Sequence, residues 1–172
     1  MDRDRKYSRE FTEANDGITH INVYSRGKTE LGKLLSNFAH TPFKLDKFGE
    51  FASVEAFWYW YFSDTNNNDI RKLHGTQAKF LGQRLMEGKK PEILEIDEQV
   101  IIAAIYTKLD QNPYIIDMLV QNDLPLAHYY VNSENGSIIY KDEYIWITEA
   151  IERYRQEEIK KIVLNKLKNR NE

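Results

Sequence analysis

The sequence predicts an α+β fold, a mostly helical single domain with a small β-sheet. Three observations predict it. Apolar residues recur at helical spacing over long stretches, as at Ile93, Ile96, Val100, Ile101, Ala104 and Ile105. Short β-branched runs with partial alternation, such as Ile18–Tyr24, are bounded by turn residues. No repeat, low-complexity run or linker divides the 172 residues, a length suited to one domain with a sizeable core.

Taken in order, residues 1–17 alternate charges without periodicity and end in Asn15-Asp16-Gly17, which predicts a flexible charged N-terminal arm closed by a turn. Ile18–Tyr24 is expected as a strand and Leu31–Phe38 as a helical turn. Phe43–Leu45 and Glu50–Ala52 read as a hairpin joined through Asp46–Gly49. Asn66–Asp69 supplies an N-cap, and Ile70–Leu85, with Gly75 and Gly82 inside it, reads as two short helices. Pro91 is expected to open a long helix that runs to Leu109, and Asn112-Pro113 to break it before a further helix at Tyr114–Val120. Leu124–Val131 is expected as one strand, with its proline near the start where a strand tolerates it. Asn132–Gly136 is a turn. Tyr144, Ile147, Ala150, Ile151 and Tyr154 mark a last helix reaching Leu167, whose end carries Lys160, Lys161, Lys166, Lys168 and Arg170, cations that suit a helix C-terminus. Residues 159–172 are therefore set apart as a basic helical extension of a domain spanning 18–158.

One stretch stands out. Ala52–Phe62 ends in Phe57-Trp58-Tyr59-Trp60-Tyr61-Phe62, apolar nearly all round, which describes a buried helix. Ser53 is placed to cap it, and its first turn holds one carboxylate, Glu55. No Lys or Arg lies between Lys47 and Arg71, so no partner close in sequence explains that charge. Burial among Phe57, Trp58 and Trp60 would raise the pKa of Glu55, while the helix N-terminus would lower it.

Composition narrows the chemistry. Apolar residues make up 41% and aromatics 13%, which excludes a disordered chain. The net charge of −3 gives no reason for non-specific nucleic-acid binding, though it leaves room for a local basic pocket. Without cysteine there is no disulfide, thiolate nucleophile or Cys metal site. His20, His40, His74 and His128 are far apart and form no ligand pair on one helix face, so no metal is expected. Walker, dinucleotide and serine-hydrolase motifs are missing. Met1–Asp16 has no apolar signal segment and Phe51–Phe62 is too short to span a bilayer, so a cytoplasmic protein without membrane contact is expected.

Five short blocks, in order and at matching spacing, resemble the NADAR (YbiA-like) superfamily: Ile21–Ser25; Leu35–Phe38 with Pro42-Phe43; Ser53-Val54-Glu55 opening an aromatic helix; Leu73–Gly75 with Ala78, Lys79 and Gly82; and Leu126 and His128 followed by a closing helix with Arg153 and Arg155. The resemblance implies a NADAR-like domain that binds ADP-ribose-like or related phosphoribosyl compounds. It also implies cleavage of N-glycosidic bonds, in phosphoribosyl intermediates or in ADP-ribosylated guanine of nucleic acid, with no cofactor. On this reading Glu55 is the essential acid, Ser36, Asn37 and Phe38 line the ligand, and Ser53 holds the helix-opening position. The chain departs from the hydrolase branch at Ala56, Tyr59 and Phe62, where that branch carries His, Gln and Lys.

The residues themselves suggest the remaining roles. Rupture of an N-glycosidic bond needs a carboxylate beside an oxocarbenium-like centre and a means of stabilising the departing base. Glu55 suits the first task, and His128, on a strand between tyrosines, is expected to assist the second. Lys79 and Arg84, with Gly82 letting the backbone approach, are expected to hold phosphate, and Trp58 and Phe38 to stack on a base. The alternative is a binding module that senses or sequesters its nucleotide without cleaving it.

Overall fold

Nine residues, Val54–Phe62, form the central helix α2 of the computed structural model, which describes residues 11–63 and 67–169. Residues 1–10 of the expected arm, and Asn66 and Arg170, lie outside the described residues. Ser53 caps α2 by accepting the Ala56 N–H at 3.1 Å. Around α2 pack α3 (Gly75–Leu85) and α4 (Glu95–Gln111), and next to it the hairpin of β2 (Phe43–Leu45) and β3 (Gly49–Phe51). Phe57 is fully buried and meets Phe43, Phe48 and Phe51 edge-on, so the aromatic run packs as the sequence pattern requires.

A second group of elements builds the rest of the domain. The short helix α1 (Glu30–Leu35) lies on β1 (Ile21–Asn22), and α5 (Pro113–Val120) and α6 (Ile145–Lys168) close the bundle. Gly32 lets α1 approach, since a Cβ there would sit 2.3 Å from the Asn22 carbonyl. Among the described residues the strands form three two-stranded ladders: β1 pairs in parallel with β4 (Leu126–Ala127), β2 pairs antiparallel with β3, and β5 (Tyr129–Val131) pairs antiparallel with β6 (Ile138–Tyr140). Among the described residues no helix is long and apolar enough to cross a membrane.

Several boundaries differ from the sequence reading, each for a local reason. The first strand shrinks to Ile21–Asn22 because the Ile18 and Thr19 amides turn back to the Asn15 carbonyl. Asp16, at the foot of the expected arm, accepts the Asn22 and Lys28 amides. Pro91 does not open α4, which starts at Glu95 after an irregular loop, with Asp97 accepting the Leu94 N–H at 2.9 Å. The expected strand 124–131 is two strands in separate ladders. At the break, the Asn22 side chain stands in for a strand: its Nδ2 donates to the Tyr129 carbonyl and its Oδ1 accepts the Tyr129 amide, both at 3.1 Å. The chain then leaves β1 and pairs with β6.

Arg155, buried in α6, donates to the Asn122 and Leu124 carbonyls and pairs with Glu152, which in turn accepts the Leu126 amide. That clamp seats β4 on α6.

Asn22 therefore satisfies two buried backbone groups of Tyr129 that no other side chain reaches among the described residues. Asn22→Ala is expected to destabilise the protein by about 2–6 kcal/mol, two unsatisfied groups at about 1–3 kcal/mol each. Urea unfolding of the variant against the parent measures it.

Candidate active site

The capped first turn of α2 points its one carboxylate into a cavity of about 290 Å³. Three of the expected residues come from a single loop: Ser36, Asn37 and Phe38, which follow α1, form one wall. Trp58 and Tyr59 of α2 and Lys79 and Gln83 of α3 form the next. His128 and Tyr130 also line it, as do Tyr144, just before α6, and Ile147 at the start of α6. Lys89, Lys90 and Lys141 join Lys79 in a cationic lining, with Glu143 also present.

Seven of the expected site residues thus meet in one place: Glu55, His128, Ser36, Asn37, Phe38, Trp58 and Lys79. Ser53 and Arg84 do not line it. The Ser53 hydroxyl is fully buried and faces the fold, donating to the Leu73 carbonyl at 3.0 Å while it caps α2. Arg84 is exposed, and its guanidinium lies 6.0 Å from the Phe80 ring. Gly82 also has another use than the expected phosphate approach. A Cβ there would fall 2.0 Å from the Tyr59 ring, so the glycine makes room for the tyrosine that lines the cavity beside Glu55.

Glu55 is held by its backbone rather than its carboxylate. Its amide donates to the Asn37 carbonyl at 2.9 Å, while its carboxylate accepts no hydrogen bond among the described residues. Burial pushes the carboxyl up to about 7, against the opposing pull of the Lys79 ammonium. The helix N-terminus does not win this contest. Burial, reinforced by the charge of Glu55, pushes the phenols of Tyr59 and Tyr130 up, and Tyr144 rises with them under burial, Glu143 and Glu55. All three remain donors at neutral pH.

His128 sits where the 124–131 segment changes ladder. One ring nitrogen, Nδ1, lies 2.7 Å from the Val23 carbonyl, so it carries the proton and donates. Nε2 is left with its lone pair. Burial holds the imidazole below its usual range, despite the opposing Val23 bond and Glu143. The ring meets Tyr130 edge-on at 5.4 Å, and Tyr130 in turn stacks on Tyr24 at 4.9 Å and lies 5.0 Å below the Lys141 ammonium.

The sequence reading missed Tyr59, Tyr130, Tyr144 and the lysines of the 89–90 loop. Tyr130 had a signal, since residues two apart on a strand share a face with His128. Tyr144 and the loop lysines had none, because they reach the cavity through tertiary packing. Among the described residues no group of three or more His, Cys, Asp or Glu forms a cluster that could hold a metal ion.

The raised carboxyl carries a stability cost whose sign is fixed. Below pH 4.5 Glu55 is protonated in folded and unfolded chains alike; between 4.5 and about 7 the unfolded chain gives up its proton first, so stability falls as pH rises, then levels off. Glu55→Gln removes that loss. The stability of the variant relative to the parent should improve by about 3 kcal/mol between about pH 4 and about pH 8, which thermal melts across that range will read.

No family model matches the sequence, and no curated protein matches it. Among solved structures, the chain is similar to the NMR structure of the E. coli protein YbiA, at 21% identity and a TM-score of 0.57, over 84% of this chain and 92% of that one. At this identity the likeness speaks for architecture alone: the chain has a YbiA-like α+β fold.

Proposed function

We propose that the chain is an N-glycosidase acting on ADP-ribosyl conjugates, such as ADP-ribosylated guanine in nucleic acid, or on related phosphoribosyl compounds. The observation that carries the reading is the carboxyl of Glu55 held near neutrality inside the cavity, in company with phenol donors, a neutral imidazole and lysines. Perturbed acids in a concave site of this kind mark functional centres more often than they mark scaffolding. A chain without cysteine suits a reducing, cytoplasmic setting.

The electrostatics support a division of labour opposite to the one the sequence suggests. A neutral His128 whose Nδ1 proton is committed to Val23 has no proton to give, but its Nε2 lone pair can accept one. Glu55, half protonated near pH 7, can supply the leaving base instead. Water then attacks C1′ of the ribose as the C1′–N bond breaks. The proton of the water passes to Nε2 of His128, the proton of Glu55 goes to the departing nitrogen, and exchange with solvent restores both groups. Lys79, Lys89, Lys90 and Lys141 would neutralise phosphates, and Trp58, Phe38 and the Tyr24–Tyr130 stack offer faces for a base.

A binding module remains the second reading, favoured by Tyr59 and Ala56 in place of the polar helix residues that the resemblance would supply. Mass spectrometry after incubation with ADP-ribosylated DNA, NAD and a phosphoribosylated pyrimidine separates the two. Release of ADP-ribose or free base by the parent, and none by Glu55→Gln, supports the glycosidase. A silent parent whose melting temperature rises with ADP-ribose supports the module. With Glu55 as the acid, kcat/KM should fall as pH rises through about 7; a rise over the same interval would make Glu55 the base and reverse the roles.

A further inference from the structure

The cavity wall made by Ser36, Asn37 and Phe38 is held by three successive carbonyls, each taken by a different helix. The Asn37 carbonyl accepts the Glu55 amide of α2 at 2.9 Å, and the Phe38 carbonyl accepts the Gly75 amide that opens α3 at 3.0 Å. Both donors are backbone groups that almost any residue would supply. The Ser36 carbonyl is different. It accepts from the side chain of Lys108, whose Nζ reaches it at 2.9 Å from α4.

Lys108 is 1% exposed, and among the described residues no carboxylate pairs with it. Burial pushes its ammonium down to about 7. Taking an unpaired ammonium out of water is expensive, and an apolar side chain of the same length would fill the space at less cost to the fold. Stability therefore gives no reason for a lysine here. Geometry does. Two further contacts show the same end of α4 gripping the strand that follows the wall: Asn112 donates to the Pro42 carbonyl, and Gln111 exchanges two hydrogen bonds with the backbone of Lys44. With its carbonyls drawn inward, the wall lines the cavity with Asn37, whose backbone and side-chain N–H groups have no protein partner among the described residues.

We infer that Lys108 is a positioning residue: through the Ser36 carbonyl it fixes the wall so that the N–H groups of Asn37 are offered to acceptor oxygens of the ligand. The inference rests on the cavity being a ligand site, and not on the reaction proposed for it.

Lys108→Met tests it. Methionine fills the path of the side chain up to the position of its terminal nitrogen and removes the donor, and the Ser36 carbonyl retains the Ala39 amide at 3.2 Å, so no bare acceptor is left. The expected result has three parts: a Tm at or above that of the parent, amide exchange of residues 36–38 faster by about tenfold with the core of α4 unchanged, and ADP-ribose affinity lower by about tenfold. Unchanged exchange in the wall overturns the inference, as does a loosened wall that binds ADP-ribose as tightly as the parent. A lower Tm with faster exchange throughout, or a variant that does not fold, makes Lys108 an ordinary core residue and overturns it too. Should the parent itself not bind ADP-ribose, the ligand assignment fails, and exchange at residues 36–38 still decides the role of Lys108.

Discussion

Helix α2 must be buried on nearly every side and yet carry a carboxylate, and most of the domain can be read as the solution to that conflict. Phe57 and Trp60 take one side of the helix into the aromatic cluster around Phe48 and Phe51. Trp58, on another side, stacks with Trp146 at 6.4 Å and meets Tyr144 edge-on. Glu55 has no room in either layer. It is accommodated because its turn abuts the loop after α1 rather than another helix, and that loop leaves space instead of filling it. A carboxyl so placed gains hydration only from the cavity, which is why burial outweighs both the nearby Lys79 and the helix N-terminus.

Apart from Trp58 and Tyr59 of α2 and Lys79 and Gln83 of α3, the cavity is assembled largely from the ends of elements. The segment after β1, the loop after α1, the first turn of α2, the junction between β4 and β5 and the start of α6 all contribute. Ends carry unpaired backbone groups and can be tied by side chains from elsewhere. Ser53, Asn22 and Lys108 do this tying, each from a position that does not itself line the site. Precision at the centre thus depends on polar groups buried around it, where each unsatisfied partner is costly.

That arrangement explains what could be read from the sequence. Glu55 and the identity of α2 were legible because aromatic content, a capping serine and an isolated acid are local signals, whereas Ser36–Phe38 entered only through the family resemblance. The fold class followed from periodicity, and the YbiA-like architecture bears it out. Arg84 was misplaced because charge near a glycine says nothing about which face of the helix turns inward, and Gly82 was read as an approach to phosphate when it accommodates a ring. The break at His128 was invisible since it depends on Asn22, more than 100 residues earlier in the chain. Nothing in the sequence singles out Lys108. Only the packing of α4 against the loop after α1 does so.

The three indoles of the chain are unevenly placed, and this gives the protein an optical property. Trp58 lines the cavity with Trp146 nearly parallel to it at 14°, whereas Trp60, roughly 200° further round α2, faces Phe51 and lies 4.3 Å beneath the Arg71 guanidinium with its Nε1 buried. Trp58 is thus placed to sense a molecule entering the cavity, and Trp60 to sense the integrity of the aromatic core. Emission spectra of the intact protein can therefore distinguish occupation of the site from unfolding without a label.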